Sequence, residues 1–491
     1  MLRVMSDPHR PSEELAYLTA HDVLARYADG SLSATTLVEA LLERITALDD
    51  DGPTGLHAVI ALSDDARATA KERDDERRAG TIRGPLHGVP VLIKDNIEAD
   101  GLPGTAGATA LLGRPAHDAA LVTTLREAGA IILGSTNMSQ WANLRSTRST
   151  SGYSAVGGLV GNPWSIDRSA GGSSSGAGAA AAAGYAPLLV GTETDGSITC
   201  PASLNGVVGL KPTVGLVSRQ GIVPLSSRQD SPGPLTRSVA DAGLLFSVLA
   251  GIDIPAEAPA VSMVVSSTWR TGHYRTDELF TSVMDDLRAT GVSLPERPFG
   301  KPSVQEGTDE LYCLLAEFKD DLAAYLATRD GEGVRSIADV LEHERANADV
   351  EFRYFRNEHL VAANDSAGTD TDEYRQCRDR ITTWAVQDCL EVGLGDADVV
   401  LSPAYAPAWK CDVVLGDPHV WFNPGISVAA IAGWPIATVP MGLVDELPVG
   451  LTIMGRPHSE WKVLAAAAQI EAVVAARGWT GRPSWRNAQR G

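Results

Sequence analysis

The amino-acid sequence predicts an α/β fold, a β-sheet covered by helices, formed by one domain over residues 1–491 with a helical insertion at about 305–395. Three observations predict it. Apolar runs of strand length alternate with segments of helical period through the first half of the chain. From 308 to 393 that alternation stops, and charged helical segments replace it before strands return at 398. No tandem repeat and no long low-complexity linker divides the chain.

Residues 1–12 read as a frayed tail. Thr19 and Asp22 have capping-box spacing and start a short helix that ends near Asp29. Ser33 caps a second helix, whose Leu37, Val38, Leu41, Leu42, Ile45 and Leu48 recur with helical period. The Asp/Gly/Pro cluster at 49–53 stops it. A strand follows at 57–61 and a charged, exposed helix at 63–80. Residues 89–93 form a buried strand with Lys94, Asp95 and Asn96 at its end. A helix at 118–129 and a strand at 130–134 repeat the pattern. Further on come a strand at 206–212, a helix at 236–251 with Ser238 and Asp241 at its start, a linker at 252–262 and a helix at 276–290. Helices at 308–328, 336–365 and 370–393 make up the insertion. A strand at 398–403, a strand pair at 436–442 and 450–454, and an amphipathic helix at 458–477 complete the chain.

Composition narrows the function. A formal net charge of −21 argues against nucleic acid and anionic membranes as partners. The five cysteines, Cys200, Cys313, Cys377, Cys389 and Cys411, are odd in number and include no CxxC pair. They fit neither a disulfide framework nor a zinc site, and they indicate a reducing compartment. The first residues lack an apolar core of signal-peptide length, and no run approaches the ~18 apolar residues of a membrane span. A cytoplasmic protein is expected.

The chemistry concentrates in Ser169 to Ser197, SAGGSSSGAGAAAAAGYAPLLVGTETDGS. Its Ala run at 179–183 favours helix, and apolar strands flank it, so a buried central helix fits better than a flexible tether. A phosphate-binding loop would need the lysine of GxxxxGK[ST], which is missing, as is GxGxxG. Nucleophilic catalysis by serine needs a base in contact. The ten histidines stand in unremarkable contexts, and His87 reads as structural. A lysine made neutral by burial is the other available base, and Lys94 is the candidate. Taken alone, a lysine at a strand end is more often a surface charge. A helix from Ser175 to Gly184 advances about 15 Å at 1.5 Å per residue. The strand at 187–191 returns a similar distance at about 3.3 Å per residue. Ser173 and the turn at 192–197 therefore fall at one end of the unit, with backbone N–H groups of the turn facing the same place, an oxyanion hole in outline.

These residues resemble the amidase signature family. GGSSSG, GTETDGSITCPASLNGVVGLKPT and QDSPGPLTRSVADA match its signature region, PVLIKDN its lysine segment, and GWPIATVPMG and LPVGLTIMG its C-terminal strands. The resemblance runs from about residue 14 to 475 and is strongest to the peptide amidase branch, through TNMSQWANLRSTRSTSGYSAVGG, GTETDGSI and EFKDDLAAYLA. It implies a large mixed central sheet with helices on both faces. It implies Lys94 as base, Ser173 as a bridging serine after a cis peptide bond, and Ser197 as nucleophile. Backbone N–H groups of Thr194, Asp195, Gly196 and Ser197 would hold the oxyanion. Ser174 would orient the lysine or serve as a structural loop serine. No metal or cofactor is implied.

The implied reaction is hydrolysis of a carboxylic amide through a seryl acyl-enzyme, with C-terminal peptide amides as candidate substrates. The alternatives are an amidase or esterase for small aryl or alkyl groups and a catalytically silent binding protein. The intact Lys94, Ser173 and Ser197 argue against the latter. GTETDGS also departs from the GTDTGGS typical of amidotransferase subunits. The implied partner is a small-molecule or peptide amide, and the chain would be a monomer or homodimer. Three departures stand out. Glu193 and Asp195 replace Asp and Gly of the common nucleophile loop, Gln140 stands where many relatives carry Glu, and residues 252–310 fit the family pattern poorly.

Overall fold

The computed structural model describes residues 11–49, 52, 54–114, 116–418 and 422–483. Most of the tail expected at 1–12 lies outside them; its last two residues begin a helix, Pro11–Ala16. Among the described residues the main sheet has eleven strands. They are β1 Val59–Leu62, β2 Pro90–Lys94, β3 Ile131–Thr136, β4 Leu188–Glu193, β5 Val208–Lys211, β6 Ser231–Thr236, β7 Met263–Ser266, β8 Glu296–Arg297, β9 Val399–Pro403, β10 Ile436–Val444 and β11 Leu447–Gly455. Their spatial order is β1-β3-β2-β4-β6-β5-β10-β11-β9-β7-β8.

The sheet is mixed. β2 runs parallel to both β3 and β4, and β7 runs parallel to β9 and β8. The pairs from β4 through β9 are antiparallel. Every residue of β2, β3, β4 and β6 is buried, so helices or loops cover both faces there. One apolar cluster includes Leu37, Leu41, Leu92, Leu133 and Leu189; a second includes Val208, Phe280, Val439, Leu451 and Ile470.

The expected capping signals operate. The Thr19 hydroxyl accepts from the Asp22 N–H, and the Asp22 side chain returns to Thr19, opening helix Ala20–Ala28. Ser33 caps Ala34–Leu48, and Ser238 caps Val239–Ala250. Three elements depart from the sequence reading. β7 begins at the close of the expected linker, helix Gly425–Ala432 was not expected, and β6 is a central strand despite Pro232 and Pro234. Prolines are normally confined to edges because they cannot donate to a ladder. Here β6 pairs with β4 over all six residues, whereas β5 meets only Leu235 and Thr236. The prolines thus sit where one neighbour has fallen away.

Between β8 and β9 lie helices Val304–Thr328, Ile337–Ala346, Ala348–Glu351, Glu358–Asp365 and Asp372–Thr383, followed by a π-helical stretch, Trp384–Glu391. Phe318, Leu322 and Leu326 of the first pack with Leu111, Met138 and Trp141 in a further apolar cluster. Two buried acids of the same helix, Glu310 and Glu317, turn toward the segment between β5 and β6. Glu317 accepts from the Ser226 hydroxyl, and the Glu310 carboxylate accepts from the Gln229 amide at 2.9 Å.

Candidate active site

The site is built where β2 and β4 end side by side. The small-residue stretch forms helix Ser175–Ala183, every residue of it buried, closed by Gly184 in the left-handed region. The helix is made of Gly, Ala and Ser because backbone approaches it closely. A Cβ on Gly176 would stand 2.3 Å from the Ala58 carbonyl oxygen. The chain then returns along β4 and delivers Ser197 beside the start of the helix. The Ser174 N–H donates to the Ser197 carbonyl at 3.1 Å, tying the two serine loops together.

Lys94 ends β2 and is fully buried. Its Nζ lies 2.8 Å from Ser173 Oγ, 2.9 Å from Thr192 Oγ1 and 3.1 Å from the Thr192 carbonyl oxygen. The peptide bond between Gly172 and Ser173 is cis. Burial pulls the Lys94 amine down to about 7, while the charges of Asp230 and Glu193 oppose the shift. A neutral amine has two N–H bonds and one lone pair. Thr192 supplies two acceptors, which leaves the lone pair for the Ser173 hydroxyl proton.

The loop at residues 194–197, which carries Ser197, joins β4 to helix Thr199–Asn205. Among the described residues, the amide groups of Asp195, Gly196 and Ser197 donate to no protein acceptor. They are free for an oxyanion. Gly196 has φ +78°, and a Cβ there would meet the Tyr405 hydroxyl at 2.8 Å, so this turn admits only glycine. The Thr194 hydroxyl donates to Asp230 at 2.6 Å, and the other Asp230 oxygen accepts the Leu225 and Ser226 N–H groups. Burial raises the Asp230 carboxyl to about 6 despite these bonds.

Ser174 does not hydrogen-bond the lysine. Its hydroxyl donates to the Thr192 carbonyl at 3.0 Å and accepts the Thr192 N–H at 3.2 Å. It fixes the residue that holds Lys94 and so acts one step away. Thr192, Asn96 and Asp230 were not singled out as site residues from the sequence. Asn96 donates to Thr192 Oγ1 at 3.0 Å and completes the lysine's cage. Asn96 was visible beside Lys94 in PVLIKDN and Thr192 in GTETDGS, but nothing in either motif shows that they meet.

The two unusual acids of the loop have different surroundings. Glu193 is buried and points back into the protein, where one oxygen accepts the N–H groups of Ile198 and Thr199 at 2.7 and 2.8 Å. It caps the helix that follows Ser197. Asp195 is partly exposed and lines a cleft with Gly172 and Cys200; its carboxylate accepts the Ser427 hydroxyl at 2.8 Å. Gln140 lies in a buried network, accepting from Arg145 at 2.6 Å and donating to Glu351 at 2.7 Å. A glutamate there would set two carboxylates against each other. His87 is remote from the serines, buried, with its ring bonded to the Arg73 carbonyl and the Arg83 N–H. Among the described residues no cluster of candidate metal ligands occurs, and no helix is long and apolar enough to cross a membrane.

A buried lysine against one serine, with a second serine in a loop of free amides, defines a candidate serine-hydrolase centre built without histidine. A family model described as Amidase matches residues 36–464, and the chain belongs to that family. It is an amidase. The native peptide amidase of Stenotrophomonas maltophilia superposes with a TM-score of 0.89 at 39% identity, covering 96% of this chain and 99% of that one. A probable amidase of Arabidopsis thaliana is 36% identical over 92% of this chain and 89% of its own length. A putative amidase of Arthroderma benhamiae is 32% identical over 92% of this chain and 81% of its own. The mixed sheet and its helices are the architecture expected for the family.

Proposed function

We propose that the protein hydrolyses carboxylic amides through an acyl-enzyme on Ser197, with Ser173 and neutral Lys94 as its proton relay. Lys94 takes the Ser173 hydroxyl proton as Ser173 takes that of Ser197. The Ser197 oxygen attacks the amide carbonyl, and the amides of Asp195, Gly196 and Ser197 receive the oxyanion. The C–N bond breaks as Ser173 returns a proton to the leaving nitrogen and Lys94 restores the Ser173 proton. Water then attacks the ester, giving up a proton along the same relay, and the acid leaves with Ser197 regenerated.

The observation that carries this reading is the 2.8 Å contact of a fully buried Lys94, drawn down to about 7, with Ser173. Such an amine is a competent base near neutral pH. Likeness to a peptide amidase over nearly the whole chain supports C-terminal peptide amides as substrates. Ammonia release should be compared across peptide amides, benzamide-type amides and aliphatic amides. Peptide amides are expected to lead; a lead for aryl or alkyl amides would move the substrate assignment to that class. Ser197→Ala should abolish both ammonia release and covalent labelling by a fluorophosphonate probe. Undiminished labelling of that variant would refute the nucleophile.

A further inference from the structure

Beside Gly172 and Asp195 the surface opens into a cleft of about 240 Å3. Its walls include the rings of Tyr405, Trp409 and Phe422 and the carboxylates of Asp195 and Asp417, and none of the described residues lining it is basic. Tyr405 and Phe422 stack with centroids 6.1 Å apart and an interplanar angle of 24°. Asp417 is fixed in the wall: one oxygen accepts the Trp409 indole N–H and the other the Ser151 N–H, both at 2.9 Å. Asp195 accepts from Ser427 and forms no salt bridge among the described residues. The acids near it, Glu193 and Glu310, have the same sign of charge. Burial first, and then the like charge of Glu193, push the Asp195 carboxyl up against the Ser427 hydrogen bond and the Lys211 charge, and burial and Asp195 raise Glu310.

Aromatic faces and carboxylates share one kind of ligand. The ring quadrupole attracts a cation, a partly buried carboxylate without a salt-bridge partner attracts one too, and an anion meets repulsion from both. The cleft borders Gly172, next to Ser173, and Asp195, two residues before Ser197, so it lies beside the proposed reaction centre. We propose that the cleft selects amides with a positive charge close to the scissile bond, an ammonium or guanidinium held by Asp195 among the rings of Tyr405, Trp409 and Phe422. This rests on the reading of Ser197 as the nucleophile of an amide hydrolase. The charge has two possible sources, a free α-ammonium or the side chain of the residue that bears the amide.

Steady-state ammonia release tests both sources. In one arm N-acetyl-lysinamide is set against its uncharged counterpart N-acetyl-norleucinamide and against the α-amide of N-acetylglutamate. In the other, leucinamide is set against N-acetyl-leucinamide. In at least one arm the cationic amide is expected to lead its neutral counterpart about tenfold in kcat/KM, with the glutamate amide slowest. That lead should shrink at high salt. Asp195 sits in the nucleophile loop, so the ratio and not the absolute rate is read in Asp195→Asn, where it should fall to within about twofold of unity. Equal turnover of charged and neutral amides in both arms overturns the charge selection and leaves amide hydrolysis standing. Absence of ammonia from every amide would count against hydrolysis itself. Calorimetric binding of the same pairs to Ser197→Ala then decides charge selection on its own, and equal affinities overturn it.

Discussion

Two strands that flank the β4–β6 ladder each end in a buried lysine. β2 lies on one side of the β4–β6 pair and ends in Lys94; β5 lies on the other and ends in Lys211. Both side chains are fully buried. Burial draws both amines down, Lys94 to about 7 and Lys211 to about 8. The acids near them differ. Asp230 and then Glu193 oppose the shift at Lys94; Glu193, Glu460 and Asp195 oppose it at Lys211. The decisive contrast is the hydrogen-bond partner. Lys94 meets the Ser173 hydroxyl, whereas Lys211 donates to the Pro212 carbonyl at 3.2 Å. A carbonyl oxygen has no proton to give. Burial can make a lysine neutral, but only a hydroxyl on the path to the nucleophile makes it a base.

The largest test of that contrast is removal of each amine. Lys94→Ala should lower kcat/KM for ammonia release by about 10³-fold or more, since the relay loses its acceptor. Lys211→Ala should cost no more than about tenfold, by loosening the ground beneath Glu193. Similar losses in the two variants would show that the lysines act alike and would break the comparison.

Next in size is the pH profile. The folded-state value of Lys94 lies below its ordinary 10.5, so the amine is protonated below about 7 and neutral above it. With the neutral amine as the proposed base, kcat/KM should climb about tenfold per pH unit on the acid side and level off above about 7. Lys211→Met should keep that inflection within a few tenths of a unit. An inflection that moves with Lys211 instead would assign the base to the wrong strand.

The contrast also shows what the sequence could reveal. Both lysines end apolar strands, in PVLIKDN and GVVGLKPT, and neither motif states what the amine touches. Helix–strand alternation and capping residues such as Thr19, Ser33 and Ser238 are local, so they are readable one segment at a time. The return of the chain along β4 to Ser173 was readable too, because helix and strand rises fix where each ends. The central strand β6 was not, because Pro232 and Pro234 break the propensity rule, and only the shortened pairing with β5 makes them tolerable. Ser174, Thr192 and Asp230 show the same limit. Their roles depend on contacts between segments that lie 18 to 98 residues apart. Glu193 and Asp195 are neighbours in one motif, yet one faces the interior and the other the cleft. Their partners, the Ile198 and Thr199 N–H groups for one and the Ser427 hydroxyl for the other, lie in later segments.

The smallest effect comes from the one acid that both lysines share. The Glu193 carboxylate raises both amines, second to Asp230 at Lys94 and first at Lys211. It also caps helix Thr199–Asn205 through the Ile198 and Thr199 N–H groups. Glu193→Gln keeps an acceptor for those donors and removes the charge. The acid-side inflection of kcat/KM should therefore move to lower pH, by a fraction of a unit, since a nearby negative charge no longer favours the protonated amine. Loss of the charge-assisted cap should cost about 1 kcal/mol of stability, a small fall in Tm for a chain this long. Glu193→Ala removes cap and charge together. Its rate should drop further than that of Glu193→Gln while its inflection moves by the same amount, because the charge sets the pKa and the cap holds Ser197 in place. An inflection that shifts upward in either variant would mean that Glu193 does not bear electrostatically on Lys94, and the two strand ends would then not be coupled through the acid between them.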